Sequence, residues 1–173
     1  MTGNHADFFR NSIYYDGRKM KDKYLSLITN ADMAVDDDQS ATSTYKHAMK
    51  RMGQSDADAN QLIEDFIQSK ITKASEWTDG YISGLYDVET AASAIVTLLG
   101  VASHTYQDKL CPVHYENGSP HIWFDNWLID WRHFPELFRY VTTGYVQSYK
   151  SWIEEKFHSV LKGNMDLINE IFE

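Results

Sequence analysis

Three side chains near the middle of the chain have the types and the spacing of a metal site. His104 and Asp108 are four residues apart, and His114 follows six residues later. Residues four apart in a helix lie on the same face, one turn from each other. Imidazole and carboxylate are ligands that divalent ions such as Zn²⁺ accept. A His–Asp pair at this spacing also forms a simple hydrogen-bonded pair in a protein core, so both interpretations stay open at this point.

Further candidate ligands lie on either side of these three. His47 follows the acidic turn Asp36–Asp38, and His133 and Glu136 are three residues apart. Each set also has an interpretation without metal, since acidic runs are often solvated loops and acids suit the first turn of a helix. His158 lies beside two glutamates, as expected on a solvated helix face.

The segments that must position these side chains have mostly helical periodicity. Apolar residues recur every three to four positions in five segments. These segments are Lys19–Thr29, a stretch from the N-cap signal at Ser55 to Gly80 or Gly84, Val88–Tyr106, Glu136–Leu161 and Met165–Phe172. Pro112 ends the third and most apolar helix, which we expect at the centre. We predict an all-α fold, a bundle of four to six helices forming one domain over residues 1–173.

Composition excludes several classes of protein. The 16 basic and 25 acidic residues give a net charge of −9, which disfavours a groove that follows nucleic-acid phosphates. The single cysteine, Cys111, excludes an internal disulfide framework and a four-cysteine zinc module. The longest apolar stretch, Ala91–Ala102, is too short to span a membrane. The first residues have neither a basic nor an apolar signal region, so we expect synthesis in the cytoplasm without a signal peptide.

The run Ser103–His114 resembles the His-x3-Asp-x5-His signature of the zinc-dependent phospholipase C and single-strand-specific nuclease superfamily. It is most similar to the phospholipase C-like domains at the C-termini of Rhs-type bacterial toxins. Two upstream segments, Ala34–Ala41 and Tyr45–Lys50, are similar to the segment that these toxin domains carry before the signature. The resemblance covers about Asp32 to Lys156 and implies a helical bundle of the zinc-dependent phospholipase C type.

The resemblance also implies a set of ligands. One zinc would be held by Asp36 or Asp37, His47, His104 and Asp108, and Asp108 would bridge to a second ion. That second zinc would be held by His114 and His133. The family has a carboxylate four residues after the last histidine, where this chain has Leu137, and Glu136 lies one residue earlier. A third metal would rely on the N-terminus and a nearby histidine, and His5 is the candidate there. Two zinc ions are therefore expected, with a third as an option.

The implied reaction is hydrolysis of a phosphodiester by metal-activated water, with Asp36 or Asp37 as ligand or general base. The substrate would be a phospholipid at a membrane surface, and the aromatic stretch Trp123–Trp131 would form either a membrane-facing rim or a packed loop. The chain would act as the toxic domain of an interbacterial effector that is delivered to a target cell, with an immunity protein as its partner. A single-strand nuclease on the same site and a non-catalytic all-α immunity or adaptor module are the alternatives.

Overall fold

A computed structural model describes residues 13–123 and 145–173, and these residues are mostly helical. The all-α prediction is thus confirmed. The helices are α1 (Asp22–Met33), α2 (Asp56–Ile82), α3 (Val88–Leu110), α4 (Tyr145–Leu161) and α5 (Met165–Ile171), and two 3-10 turns follow α1 at Ala34–Asp37 and Thr44–His47. Two short antiparallel hairpins pair β1 (Tyr14–Tyr15) with β2 (Arg18–Lys19) and β3 (Tyr115–Glu116) with β4 (Ser119–Pro120).

The helix boundaries follow from local signals. Ser55, Asp87 and Asn164 cap α2, α3 and α5, and each side chain accepts a hydrogen bond from the backbone N–H three residues later. Cys111 takes an extended conformation before Pro112, which ends α3 as predicted. The prediction that the first helix begins at Lys19 is wrong, because Met20 pairs with Phe172 and α1 begins only at Asp22.

Helix α3 lies at the centre of the bundle. Helices α1 and α2 pack along it, and α4 and α5 complete the enclosure. A Cβ on Gly100 would lie 2.6 Å from the backbone oxygen of Ile28, so α1 and α3 approach each other closely at this glycine. This approach places the polar residues in the following turns of α3 against the end of α1.

The β3–β4 hairpin leads the chain from the end of α3 back over the second 3-10 turn. Residues after the hairpin form a short parallel bridge in which Ile122 pairs with Lys50, and the backbone N–H of Trp123 donates to the Lys50 oxygen. The bridge therefore fixes the loop of His114 against the turn that contains His47. No helix in the described ranges combines the length and apolarity needed to cross a membrane.

Candidate metal centre

Five side chains from four parts of the chain converge at one end of α3. Asp36 comes from the first 3-10 turn, His47 from the second, His104 and Asp108 from α3, and His114 from the loop before β3. His47, His104 and Asp108 are buried at 2%, 0% and 1% exposure, whereas the side chain of Asp36 is 24% exposed. The cluster is therefore polar and almost completely enclosed, with Asp36 as its most exposed member.

The separations between the donor atoms match the edge lengths of a small coordination shell. His104 Nε2 lies 3.2 Å from His47 Nδ1, 3.5 Å from Asp36 Oδ1 and 3.2 Å from Asp108 Oδ2. Tetrahedral zinc with bonds of about 2.0 Å separates neighbouring ligand atoms by about 3.3 Å. Donor atoms of Asp36, His47 and His104 lie mutually within 4.8 Å. The group is thus able to hold a metal ion, although hydrogen-bonded clusters have similar separations.

Asp108 connects two parts of the cluster. Its Oδ2 lies 3.4 Å from His47 Nδ1 on one side and 3.7 Å from His114 Nδ1 on the other. His104 and Asp108 face the same way because they are four residues apart on one helix, as the spacing predicts. Asp108 is therefore the member that approaches all three histidines of the cluster.

Backbone carbonyls orient two of the histidines. His47 Nε2 lies 3.2 Å from the carbonyl oxygen of Asp38, and His114 Nδ1 lies 3.0 Å from the carbonyl oxygen of His47. A carbonyl accepts only, so each of these nitrogens carries the hydrogen and donates. In the neutral ring the other nitrogen then has a lone pair, which for His47 is Nδ1, the atom that faces the cluster.

The acid and base of the cluster shift each other's ionisation. Burial lowers the pKa of His104, but the carboxylates of Asp108 and Asp32 raise it more, so it lies well above the usual value. Burial raises the pKa of Asp108, but His114 and His104 lower it more, so it lies well below its usual range. The metal-free cluster therefore contains an imidazolium–carboxylate pair, whose positive charge a bound cation would replace.

Asp32 is a buried acid of this region that the sequence analysis did not select. It lies on α1 at 0% exposure, and its Oδ2 is 3.8 Å from His104 Nδ1. A signal was present in the sequence, because Asp32 continues the apolar stripe of Tyr24 and Ile28 at helical spacing. A buried acid in such a stripe lowers the stability of the fold unless it has a hydrogen-bonding or charged partner in the core.

The remaining predicted residues either lie near the cluster or lie outside the described part of the chain. Asp37 is exposed, and it is Asp36 whose carboxylate reaches His104. His5, His133 and Glu136 lie outside the described residues, and so does the part of the aromatic stretch after Trp123. The ring of Trp123 is 9% exposed and lies against His47, with the ring centroids 5.2 Å apart. Trp123 thus forms part of the wall of the cluster.

A second group of possible ligands lies on the surface, formed by Asp16, Glu154 and His158. His158 Nε2 lies 3.4 Å from Asp16 Oδ1, and Glu154 accepts a hydrogen bond from the backbone N–H of Asp16. The His158 ring also stacks on Tyr15. These contacts account for the arrangement of exposed groups without an ion.

Comparison of the chain with protein-family models, curated proteins and solved structures found no match in any of the three.

Proposed function

We propose that this chain is a zinc-dependent phosphodiesterase of the phospholipase C type, acting on membrane phospholipids as the toxic domain of an interbacterial effector. An immunity protein would be its partner. The observation that carries the proposal is the convergence of Asp36, His47 and His104, with Asp108 adjoining them. The order of these residues along the chain agrees with the upstream segment and the signature of the family that the chain resembles.

The donor set supports zinc over the hard cations. Two imidazole nitrogens face the same point as the carboxylates, and Mg²⁺ and Ca²⁺ are usually bound through oxygen alone. Zinc accepts nitrogen and carboxylate oxygen together at bonds of about 2.0–2.2 Å. His114, with His133 and Glu136 from outside the described residues, would complete a second site, and Asp108 lies between the two sets.

Each residue has a definite role in the proposed reaction. Bound zinc would supply positive charge for a phosphodiester oxygen and lower the pKa of water. His47, His104 and Asp108 hold the site from the buried side. The carboxylate of Asp36, at 24% side-chain exposure, completes the ligand set on the exposed side, or it orients the attacking water and accepts its proton. Water adds to phosphorus as the bond between phosphorus and the alcohol oxygen breaks, and the alcohol leaves with the proton that the water gave up.

Charge around the cluster favours a small headgroup over a polyanion. Three lysines in the segments that carry the ligands are paired with acids, Lys46 with Asp38, Lys50 with Asp56 and Lys109 with Glu64. These lysines therefore offer a nucleic-acid backbone little net positive charge, and the chain as a whole carries −9. A single phosphodiester group needs only the charge of the metal site.

The first test of the proposal is the metal content of protein purified without chelator or tag histidines. We expect at least one zinc per chain in the native protein, and about two if the second site is occupied. His104→Ala removes a central ligand and should lose at least one equivalent. His158→Ala removes a histidine from the surface group and should retain the native content. Mass spectrometry with inductively coupled plasma measures each value.

The second step separates the candidate substrates. Zinc-loaded protein is incubated with vesicles of phosphatidylcholine, phosphatidylethanolamine and phosphatidylglycerol, and in parallel with single-stranded DNA. Release of phosphomonoesters, followed by ³¹P nuclear magnetic resonance and abolished in His104→Ala, supports the phospholipase. Cleavage of DNA alone would replace it with the nuclease. Less than about half an equivalent of zinc, unchanged after zinc addition, would contradict the enzyme and favour the binding module.

A further inference from the structure

We propose that Asp32 is a positioning residue of the metal centre, which keeps the hydrogen of His104 on Nδ1 and so directs the Nε2 lone pair at the ligand cluster. The inference rests on the metal site of the proposed function and is independent of its substrate. Asp32 would touch neither the metal nor the phosphodiester. It would act through His104 alone.

The place of Asp32 in the fold calls for an explanation. Asp32 is 0% exposed and lies on the apolar face of α1 together with Tyr24, Ile28 and Ala31. A buried carboxyl group is costly unless hydrogen bonds and a charge partner compensate its lost hydration. An apolar residue would serve the packing of α1 on α3 without that cost. The acid is therefore better explained by what its two oxygens contact.

The two carboxyl oxygens of Asp32 face different partners. Oδ1 accepts hydrogen bonds from Ser103 Oγ at 3.1 Å and from Gln107 Nε2 at 2.9 Å. The Tyr149 hydroxyl lies behind them, 3.3 Å from Ser103 Oγ. These neutral groups hold the carboxyl plane in place, while Oδ2 lies 3.8 Å from His104 Nδ1. The network thus presents an acceptor to one specific nitrogen of the imidazole.

An acceptor at Nδ1 determines which ring nitrogen is available to a metal. A carboxylate oxygen only accepts, so its attraction for Nδ1 favours the hydrogen on Nδ1 and leaves the lone pair of the neutral ring on Nε2. His104 Nε2 is the atom that faces His47 and Asp108. Carboxylates behind metal-bound histidines fix ring orientation and raise ligand basicity in this way.

The position of each histidine in the fold explains why His104 has a side-chain acceptor, whereas His47 and His114 have backbone acceptors. His47 and His114 lie outside α-helices and are oriented by backbone carbonyls. His104 lies inside α3, where the backbone carbonyls are engaged by the helix itself. Its acceptor must therefore be a side chain, and Asp32 on α1 faces Nδ1 at 3.8 Å across the close approach at Gly100.

Asp32→Asn tests the proposal with almost no change in shape. An asparagine that keeps its oxygen toward Ser103 and Gln107 turns its NH₂ group toward His104 Nδ1. Nδ1 must then accept, and the hydrogen moves to Nε2, where it points at the ligands. We expect the zinc dissociation constant to rise about 10- to 100-fold, measured at pH 7.0 by competition with a chromogenic chelator.

Two control variants separate positioning from folding and from overall charge. Ser93→Ala removes a hydroxyl from α3 about 15 Å before Ser103 along the helix, so zinc affinity should stay at the native value. Asp22→Asn removes an exposed carboxyl group from α1, the helix that carries Asp32, and should leave the zinc affinity unchanged. Circular dichroism of the metal-free variants confirms that each is folded.

A spectroscopic measurement on the native chain decides the matter even if Asp32→Asn fails to fold. Long-range ¹H–¹⁵N spectra of the zinc-loaded protein should find the His104 hydrogen on Nδ1. A hydrogen on Nε2, or native zinc affinity in folded Asp32→Asn, would overturn the positioning role and leave the proposed function intact. A native chain that binds no zinc would overturn both.

Discussion

At the scale of single residues, Asp108 is a buried acid that lies against three imidazole rings. It is 1% exposed, and its Oδ2 lies within 3.7 Å of nitrogens from His47, His104 and His114. Its lowered pKa and the raised pKa of His104 mean that the metal-free protein holds a buried ion pair. Removing one partner of such a pair leaves the other charge without compensation.

Asp108→Asn is therefore expected to destabilise the protein even without metal. The free energy of unfolding in excess chelator at pH 6 should fall by about 3 kcal/mol, as is typical when one member of a buried ion pair is removed. Urea denaturation followed by circular dichroism measures it. The matched variant Asp65→Asn, on the exposed face of α2, should change stability by less than about 0.5 kcal/mol. An equally stable Asp108→Asn would show that no buried ion pair forms.

At the scale of helices, the contact of α1 with α3 decides the geometry of the site. Gly100 lets the two backbones meet, and Ser103, His104 and Gln107 follow it on α3 at the level of Asp32. A side chain at this position would push α1 away from α3 and lengthen the distances between Asp32 and its partners. Packing and site geometry thus depend on the same glycine.

Gly100→Ala is expected to lower the free energy of unfolding by about 1–3 kcal/mol, because the new methyl group meets the backbone oxygen of Ile28 at 2.6 Å. Alanine otherwise favours a helix by about 1 kcal/mol over glycine. A decrease in the free energy of unfolding would therefore indicate the clash. Gly80→Ala is the matched control, since its Cβ would meet a side-chain ring, that of Tyr86 at 2.5 Å, and not a backbone atom.

Thermal unfolding and zinc titration measure both variants of this pair. Gly100→Ala should be the less stable of the two and should also bind zinc more weakly than the native chain. If Gly80→Ala is the more destabilised, the close approach of α1 and α3 is not the constraint inferred from the structure.

At the scale of the whole molecule, the C-terminal segment closes the bundle onto its beginning. Lys19 and Glu173 exchange backbone hydrogen bonds, and Met20 pairs with Phe172. Glu170 on α5 accepts hydrogen bonds from Lys23 Nζ at 2.6 Å and from the Tyr24 hydroxyl at 2.7 Å. The two ends of the described chain therefore stabilise each other through both backbone and side-chain contacts.

This closure makes stability sensitive to acid. The hydrogen bonds from Lys23 and Tyr24 lower the pKa of Glu170 below its usual value of 4.5. A carboxyl whose pKa is lowered by folding contributes stability above its unfolded pKa and loses it as the pH falls through the folded pKa. Glu170→Gln should therefore cost about 1 kcal/mol at pH 7 and a diminishing amount as the pH falls below 4.5.

Urea denaturation at several pH values between 7 and about 3 measures the difference in the free energy of unfolding between the native chain and Glu170→Gln. Glu155→Gln, in an exposed pair with neighbouring Lys156, is the control and should show a smaller difference throughout. A cost at Glu170 that does not change with pH would mean that the contact acts through packing and not through its charge.

Local sequence was sufficient to predict most of the helical framework. The periodicity of α2, α3 and α5, with the N-cap signal at Ser55, predicted their positions, because hydrogen bonds within a helix and packing along one face depend on residues three or four apart. The start of α1 was predicted three residues too early, because Met20 is held by Phe172 at the other end of the chain. The shared direction of His104 and Asp108 was also a local property of α3.

Tertiary structure alone decided how the parts of the candidate site meet. His47 and His104 are 57 residues apart, and Asp32 and Gln107 are 75 apart, distances over which no helical or strand repeat applies. The fold brings Asp36 rather than Asp37 to His104, chooses the ring nitrogens that face the cluster, and adds Asp32 behind it. These outcomes depend on how α1 and two turns pack against α3, because packing across a core, and not spacing along the chain, places such groups within hydrogen-bonding distance.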